Sequence, residues 1–332
     1  MPVGGMSDGT EGDISMKTKA NVALVRGTDR RTCAFEALNR VREDVEPHLH
    51  EDVLLKPNFL SDSIQLASSH ADTVRGVLDF LLGSDTPPRR VLITEGSAGS
   101  TTDAFQRFGY SELADEYDVD IELFDLHQET CWREMTIFTA GDRVRTVRMP
   151  RTLLDAPCTF SLARAKTHDV CVVTLSLKNM IMGTIAQPDR VLMHGFPSHP
   201  ERRQPVEAKY LNVNLIRLAR YLSPDVSVVD GITGLQGNGP GGTNQADLDV
   251  VAAGVDVFAV DAVMTEVMGF DPELMGTLHY ARKYRLGCTR PEQINVLGVP
   301  VADVATRFQP HESTQKQLQW QKHNADALLA AA

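Results

Sequence analysis

Residues 52–97 read DVLLKPNFLSDSIQLASSHADTVRGVLDFLLGSDTPPRRVLITEGS, and this stretch decides the fold. The run DVLL (52–55) is strand-length, and Lys56-Pro57 ends it, because proline brings no N–H to a ladder and fixes its own backbone. Within 73–82, Val74, Val77, Leu78 and Leu81 recur on one face of a helical period. VLIT (91–94) is a second strand-length run. Strand, helix, strand in that order is the repeating unit of a sheet with parallel members.

The same rhythm extends outward. NVALVR (21–26) precedes a helix carrying Ala34, Leu38 and Val41, and 121–124 returns to strand. In the middle, Glu134–Thr139 and Val144–Met149 flank Ala140-Gly141-Asp142 and predict a hairpin. TFSLA (159–163) and CVVTLSL (171–177) read as two strands bracketing the polar patch Lys166-Thr167-His168-Asp169. Pro197–Gln204 has no period and reads as a mobile loop. A helix with Leu211, Leu215, Leu218 and Leu222 follows, then strands over 226–229 and 249–253. Val257–Met268 is apolar almost all round, the mark of a buried helix. The fold class is therefore α/β: a mostly parallel sheet flanked by helices, with a hairpin-containing middle insertion. The expected organisation is a mobile acidic leader over 1–17, a single body over 18–310 and a C-terminal helix over 311–332. Two lobes, 18–130 and 156–300, separated by a hairpin over 131–150, are the alternative division of the body.

The 332 residues are 42% apolar and 23% charged, an ordinary globular balance. A net charge of −11, spread along the chain, argues against a nucleic-acid or anionic-membrane partner and leaves room for a local basic pocket. No apolar run approaches the roughly 20 residues of a spanning helix, and the N-terminus has no signal-peptide pattern. The cysteines at 33, 131, 158, 171 and 288 form no CxxC pair, so their spacing gives neither a zinc site nor an iron–sulfur motif. Reduced thiols and a cytoplasmic location are the expectation. Homo-oligomerisation is left open.

Four polar clusters stand where strands end, which is where open α/β sheets place their ligands. Lys56-Pro57-Asn58 follows the first strand of the opening stretch, and Glu95 follows the second. Lys166, His168, Lys178 and Asn179 lie around the 171–177 run, with His194 in a further loop. Lysines beside such apolar runs must snorkel or meet an anion. Asp230 begins the fourth cluster, which includes the Gly-rich GLQGNGPGG (234–242) with Asn238 and Gly239. Glycines there allow close backbone approach to a ligand, though the pattern is neither a P-loop nor G-x-G-x-x-G. Asp256 reads as a helix N-cap. Asp261, inside the apolar helix, needs a lysine or a set of N–H groups as partner.

Taken in order, VLLKPNF, AKTH, TLSLKNMIMG with His194, VVDGI, GNGPGG and AAGVDVFAVDAVMTEVMGFDP resemble the domain of unknown function 362 family, from about Asn21 to Gly287. The resemblance implies that Lys56, Asn58, His168, Lys178, Asn179, Asp230, Asn238 and Asp261 are matching motif positions. Some members of that family also carry a four-iron ferredoxin-like module with clustered cysteines. This sequence has no such cluster, so no iron–sulfur role is carried over and the cofactor stays unassigned.

The favoured reading is an enzyme acting on a small carboxylate or phosphate in a Lys/His/Asn/Asp-lined cleft. His168, Lys178 and Lys56 are the catalytic candidates, and isomerase- or racemase-type proton transfer fits them. Asn58, Glu95, Lys166, Asn179, His194, Asp230, Asn238, Gly239 and Asp261 are the binding candidates, with the Gly-rich loop closing over the ligand. One alternative is a metal- or cofactor-dependent redox enzyme, with His168 and His194 as metal ligands beside Glu95 or Asp230. The other is a non-enzymatic anion-binding or assembly protein.

Overall fold

The computed structural model describes residues 19–323 and 325–330, so the leader expected over 1–17 lies outside the described residues. The strands are β1 (Ala20–Arg26), β2 (Asp52–Lys56), β3 (Arg90–Glu95), β4 (Asp120–Asp125), β5 (Trp132–Thr139), β6 (Arg143–Pro150), β7 (Thr159–His168), β8 (Val172–Thr174), β9 (Val226–Leu235), β10 (Gln245–Asp247), β11 (Val250–Gly254) and β12 (Ile294–Gly298). Of the helices among the described residues, those that bear on the site are α1 (Arg30–Arg40), α2 (Ala71–Leu82), α3 (Ser176–Met182), α4 (Val206–Ala219) and α5 (Val257–Val267).

One ten-stranded sheet has the order β12-β1-β11-β9-β7-β2-β3-β4, with β8 and β10 added to β7 and β9. Along that order only β11 runs against its neighbours; β12–β1 and every pairing from β9 to β4 are parallel. The expected fold class is the observed one. All ten residues of β7 are buried, as befits a central strand covered on both faces. On one face α1 and α2 bring Ala34, Leu38, Val74, Val77 and Leu78 onto Leu55, Ile93 and Phe160. On the other, α5 sets Val260, Val263 and Met264 against Ala163, Val229 and Val250. There α4 and the β5–β6 hairpin share a core through Leu211, Leu215, Ile137, Val147 and Leu54. The hairpin turns where expected: Gly141 and Asp142 adopt φ of 76° and 57°, and the strands close at Thr139 and Arg143. Among the described residues no helix is long and apolar enough to cross a membrane.

Two expectations need correction. First, the polar patch Lys166-Thr167-His168 is not a link between strands but the end of β7 itself, and of CVVTLSL only Val172–Thr174 is strand. The chain enters α3 at Ser176 because the Asp261 carboxylate, reaching from α5, accepts the Ser176 N–H (2.8 Å) and the Leu177 N–H (3.1 Å). This answers the partner question for Asp261: it caps a helix from another element, where the first-turn N–H groups lack intrahelical acceptors. Second, 311–332 is not one helix. It runs as Thr314–Gln317, a 3-10 turn Leu318–Lys322 and Asp326–Ala330. Its side chains dock locally: Gln317 accepts the Val172 N–H and donates to the His168 carbonyl, and the Trp320 indole N–H bonds the Leu274 carbonyl.

Burial pushes the Asp261 carboxyl up to about 7, with the two N–H bonds pulling the other way. The folded chain therefore holds this proton to a higher pH than the unfolded chain, whose aspartates titrate near ~3.9. Its contribution to stability is complete below pH ~4 and is lost as pH rises to ~7. Comparing urea midpoints of wild type and Asp261→Asn across that window should show the wild type losing about 2–4 kcal/mol relative to the variant. Parallel curves would refute the raised value.

Candidate functional site

The parallel strands β2 and β3 end side by side at Lys56 and Glu95, while β7, paired with Lys56 at Ser161, runs on past them to His168, and α3 begins beside Ser161. Lys56 is fully buried. Its ammonium donates to Glu95 Oε1 (2.5 Å), the Pro57 carbonyl (2.9 Å) and Asn179 Oδ1 (3.1 Å), which uses all three of its protons. Asn179 returns two bonds, to the Lys56 carbonyl (3.1 Å) and Ser161 Oγ (3.0 Å), so β2, β3, β7 and α3 meet through two side chains. Burial lowers the Lys56 pKa and the adjoining Glu95 carboxylate works against that fall. Gly183 closes over the pair; a Cβ there would collide with both Lys56 Nζ and Glu95 Oε1. The second carboxylate oxygen, Glu95 Oε2, is buried and has no hydrogen-bond partner among the described residues.

Above this floor lies a cavity of about 430 Å³ walled by Asn58, Glu95, Lys166, His168, Lys178, Asn179, Arg190 and His194, with Pro240 at its margin. Lys166 and His168, two apart on β7, both line it. Lys166 Nζ donates to Asn58 Oδ1 and to the Ala67 carbonyl (2.8 Å), and Asn58 Nδ2 donates to Asn179 Oδ1 (3.1 Å). Lys178 Nζ lies 2.6 Å from His168 Nε2, while His168 Nδ1 accepts the N–H groups of Val170 (3.0 Å) and Cys171 (3.4 Å). The Arg190 guanidinium donates only to backbone carbonyls: Ile185 (2.9 Å), Gly183 (3.1 Å) and Ser97 (3.5 Å). Burial lowers the pKa of Lys166 well below the ordinary lysine value, with the Lys178 charge adding to the effect. Burial likewise lowers Lys178 and Arg190. His168 is pushed well below the ordinary histidine value by burial and then by the Lys178 charge.

His194 belongs to a separate chain of charges. Its Nδ1 lies 2.7 Å from Glu207 Oε1, Glu207 is bound by Arg202 Nε, and Arg202 Nη2 reaches Asp169 Oδ2 (2.8 Å). Asp169 Oδ1 stands 3.1 Å from His168 Nδ1, so one arginine ties together the carboxylates beside both cavity histidines. Burial lowers His194, while its Glu207 partner raises it.

The fold thus brings Lys56, Asn58, Glu95, Lys166, His168, Lys178, Asn179 and His194 to one place. Four expected members stand elsewhere. Asp230 is occupied by Arg30 (3.0 Å) and Thr73 Oγ1 (3.1 Å), a buried pairing away from the cavity. Asn238 exchanges bonds with Glu312, and Gly239 lies against the Thr167 carbonyl where no Cβ would fit. Two bonds hold the Gly-rich loop in this structure: Thr167 Oγ1 donates to the Gly237 carbonyl and the Gly237 N–H donates to the Gln309 carbonyl. Asp261 serves α3 from behind. Among the described residues no group of three His, Cys, Asp or Glu is placed to share an ion, so neither Glu95 nor Asp230 completes a mixed site with His168 and His194 there. Sequence reading missed Arg190, Arg202 and Glu207. Arg190 sits in a 3-10 stretch, Gln187–His194, with no helical or strand period to announce it; Arg202 and Glu207 bond each other locally, but the partners that tie them to the histidines, Asp169 and His194, stand 33 and 13 residues away.

Removing one member of the floor pair should be more damaging than removing both. Lys56→Met or Glu95→Gln alone leaves a buried charge uncompensated and should cost about 3–5 kcal/mol. The double variant should recover a large part of that cost in denaturant unfolding. Additive losses would show that the two groups are not coupled.

The chain matches the family model described as Domain of unknown function (DUF362) over residues 53–266, a span containing every cavity side chain named above. It is 26% identical over 237 residues to a thylakoid-associated protein of Synechocystis sp. (strain ATCC 27184 / PCC 6803 / Kazusa), covering 71% of this chain and 68% of that protein. Among solved structures, the lactate racemase apoprotein of Thermoanaerobacterium thermosaccharolyticum aligns with a TM-score of 0.43 at 11% identity, over 65% of this chain and 52% of that one. A Thermotoga maritima protein aligns with a TM-score of 0.40 at 13% identity, over 62% and 51%. The chain spans about half the length of each of these two structures. By its family match over well more than half its length, the chain belongs to the DUF362 family.

Proposed function

We propose that the protein is an enzyme that binds a small carboxylate or phosphate in this cavity and moves a proton on it. One observation carries the reading: Lys166, Lys178 and Arg190 face the same cavity, and among the described residues none of them is bonded to a carboxylate. Lys56, by contrast, has its own carboxylate in Glu95. Holding several basic groups away from water without counter-charge is costly, and an entering anion supplies what is missing. Lys166 and Arg190 are the groups suited to hold it. His168 and Lys178, in contact with each other, are suited to carry the proton, and the free Oε2 of Glu95 offers an acceptor to a hydroxyl or water. Cys33, Cys131, Cys158 and Cys171 are thiols, which supports a reducing compartment such as the cytoplasm.

Thermal unfolding with small carboxylates and phosphate, at matched ionic strength, tests the binding. A ligand at 100 times its Kd should stabilise the fold by about 2.7 kcal/mol. Lys166→Met and Arg190→Gln should each lose most of that response. Solvent-deuterium incorporation into the ligands that bind tests the chemistry, and His168→Gln should slow it by about 10²-fold or more. Absence of stabilisation by any anion would refute the site; stabilisation without exchange or turnover would favour a binding protein over an enzyme.

A further inference from the structure

Lys56 beneath the cavity and the two lysines on its wall, Lys166 and Lys178, differ in their partners. Lys56 donates three bonds to three acceptors, one of them a carboxylate, and Lys166 donates to an amide oxygen and a carbonyl. Both arrangements suit an ammonium ion. Lys178 has as its hydrogen-bond partner among the described residues only His168 Nε2, at 2.6 Å. The state of that nitrogen is set from the opposite side of the ring. Two backbone N–H groups, of Val170 and Cys171, point at Nδ1, and a backbone donor cannot move its proton elsewhere. Asp169 Oδ1 also stands near Nδ1, but that carboxylate is held by Arg202. Nδ1 is therefore an acceptor, and the single proton of a neutral ring lies on Nε2. An Nε2–H facing an ammonium at hydrogen-bond distance would set donor against donor. The contact works when Lys178 Nζ presents a lone pair.

From this geometry we propose that Lys178 is a free amine nucleophile, built to condense with the carbonyl group of a small oxo acid. The assignment rests on the anion-binding reading of the cavity, since Lys166 and Arg190 would take the acid group. The Nζ lone pair adds to the carbonyl carbon while the carbonyl oxygen takes up a proton, giving a carbinolamine. That hydroxyl then leaves as water with a second proton, and the nitrogen keeps a double bond to the carbon. The net change is amine plus carbonyl to imine plus water, with nothing oxidised or reduced. His168 Nε2–H stands beside the reacting nitrogen as the proton carrier. Once protonated, the imine draws electrons from the neighbouring carbon, whose proton becomes acidic, and this is the step the proposed proton transfer requires.

The test uses the full-length protein, pyruvate as the oxo acid and acetone as an uncharged carbonyl, each with cyanoborohydride near neutral pH, followed by peptide mapping. A lysine free in water is unprotonated to only about one part in 10³ near neutral pH, and the exposed Lys316 serves as the internal reference. Pyruvate should label Lys178 at least about tenfold faster than Lys316, and faster than acetone does. Lys178→Arg and Lys178→Met should remove that label while the exposed sites keep theirs; if either variant unfolds, the wild-type rate ratio decides. Lys178 labelled no faster than Lys316 would overturn the nucleophile. Thermal stabilisation by pyruvate without reductant is read in parallel: stabilisation without labelling leaves the anion site standing and removes the nucleophile. Equal labelling by acetone and pyruvate keeps the nucleophile and removes the acid from the assignment.

Discussion

A buried ammonium, that of Lys56, anchors the architecture of this protein's functional end. Three strands that approach only as backbones are joined there by side chains: Lys56 from β2, Glu95 from β3, and Asn179 from α3 bonded in turn to Ser161 of β7. Pairs of this kind are weak contributors to net stability, because desolvating both charges offsets most of their attraction. Their effect is on geometry. With each proton of the ammonium assigned to a fixed acceptor, the strand ends cannot slide, and α3 must start where Asn179 can reach. The Asp261 cap enforces the same start from below, and Gly183 leaves no space for another arrangement.

That floor determines the character of the cavity above it. Glu95 is satisfied on one oxygen by Lys56, so it does not neutralise Lys166 or Arg190 through a bond. The carboxylates near the histidines are also engaged: Asp169 and Glu207 share Arg202. What remains is a pocket whose basic groups outnumber their bonded counter-charges. The chain as a whole carries −11, so this local excess runs against the global balance. A charge distribution of that shape admits a small anion while leaving the outer surface acidic.

Much of this was legible in the sequence because it arose from period and punctuation. The strands appeared as apolar runs, and the polar residues that ended them (Lys56, Glu95, Lys166, His168) proved to be the residues that converge. Lys178 and Asn179, singled out for polarity beside an apolar run, line the cavity from a helix rather than from a strand end. TLSL looks like strand, and the carboxylate that starts a helix there lies 85 residues away in sequence. Asp230 misled in the opposite sense: its place at a strand end suggested a ligand group, yet Arg30, 200 residues earlier, already holds it. Arg190 gave no signal, since a 3-10 segment has neither the 3.6 nor the 2.0 period. The break in the C-terminal segment was equally silent; there Gln317 bonds the Val172 N–H and the His168 carbonyl, 145 and 149 residues away in sequence.

The central claim, that this cavity is an anion site by virtue of unmatched basic groups, is tested most directly by a crystal structure grown with selenate and phased on selenium. The expected result is an anomalous peak inside the cavity, within hydrogen-bond distance of Lys166 Nζ and the Arg190 guanidinium, with the Lys56–Glu95 pair undisturbed beneath it. A cavity empty of selenate, with Lys166 or Arg190 turned to bond a carboxylate of the protein instead, would contradict the account.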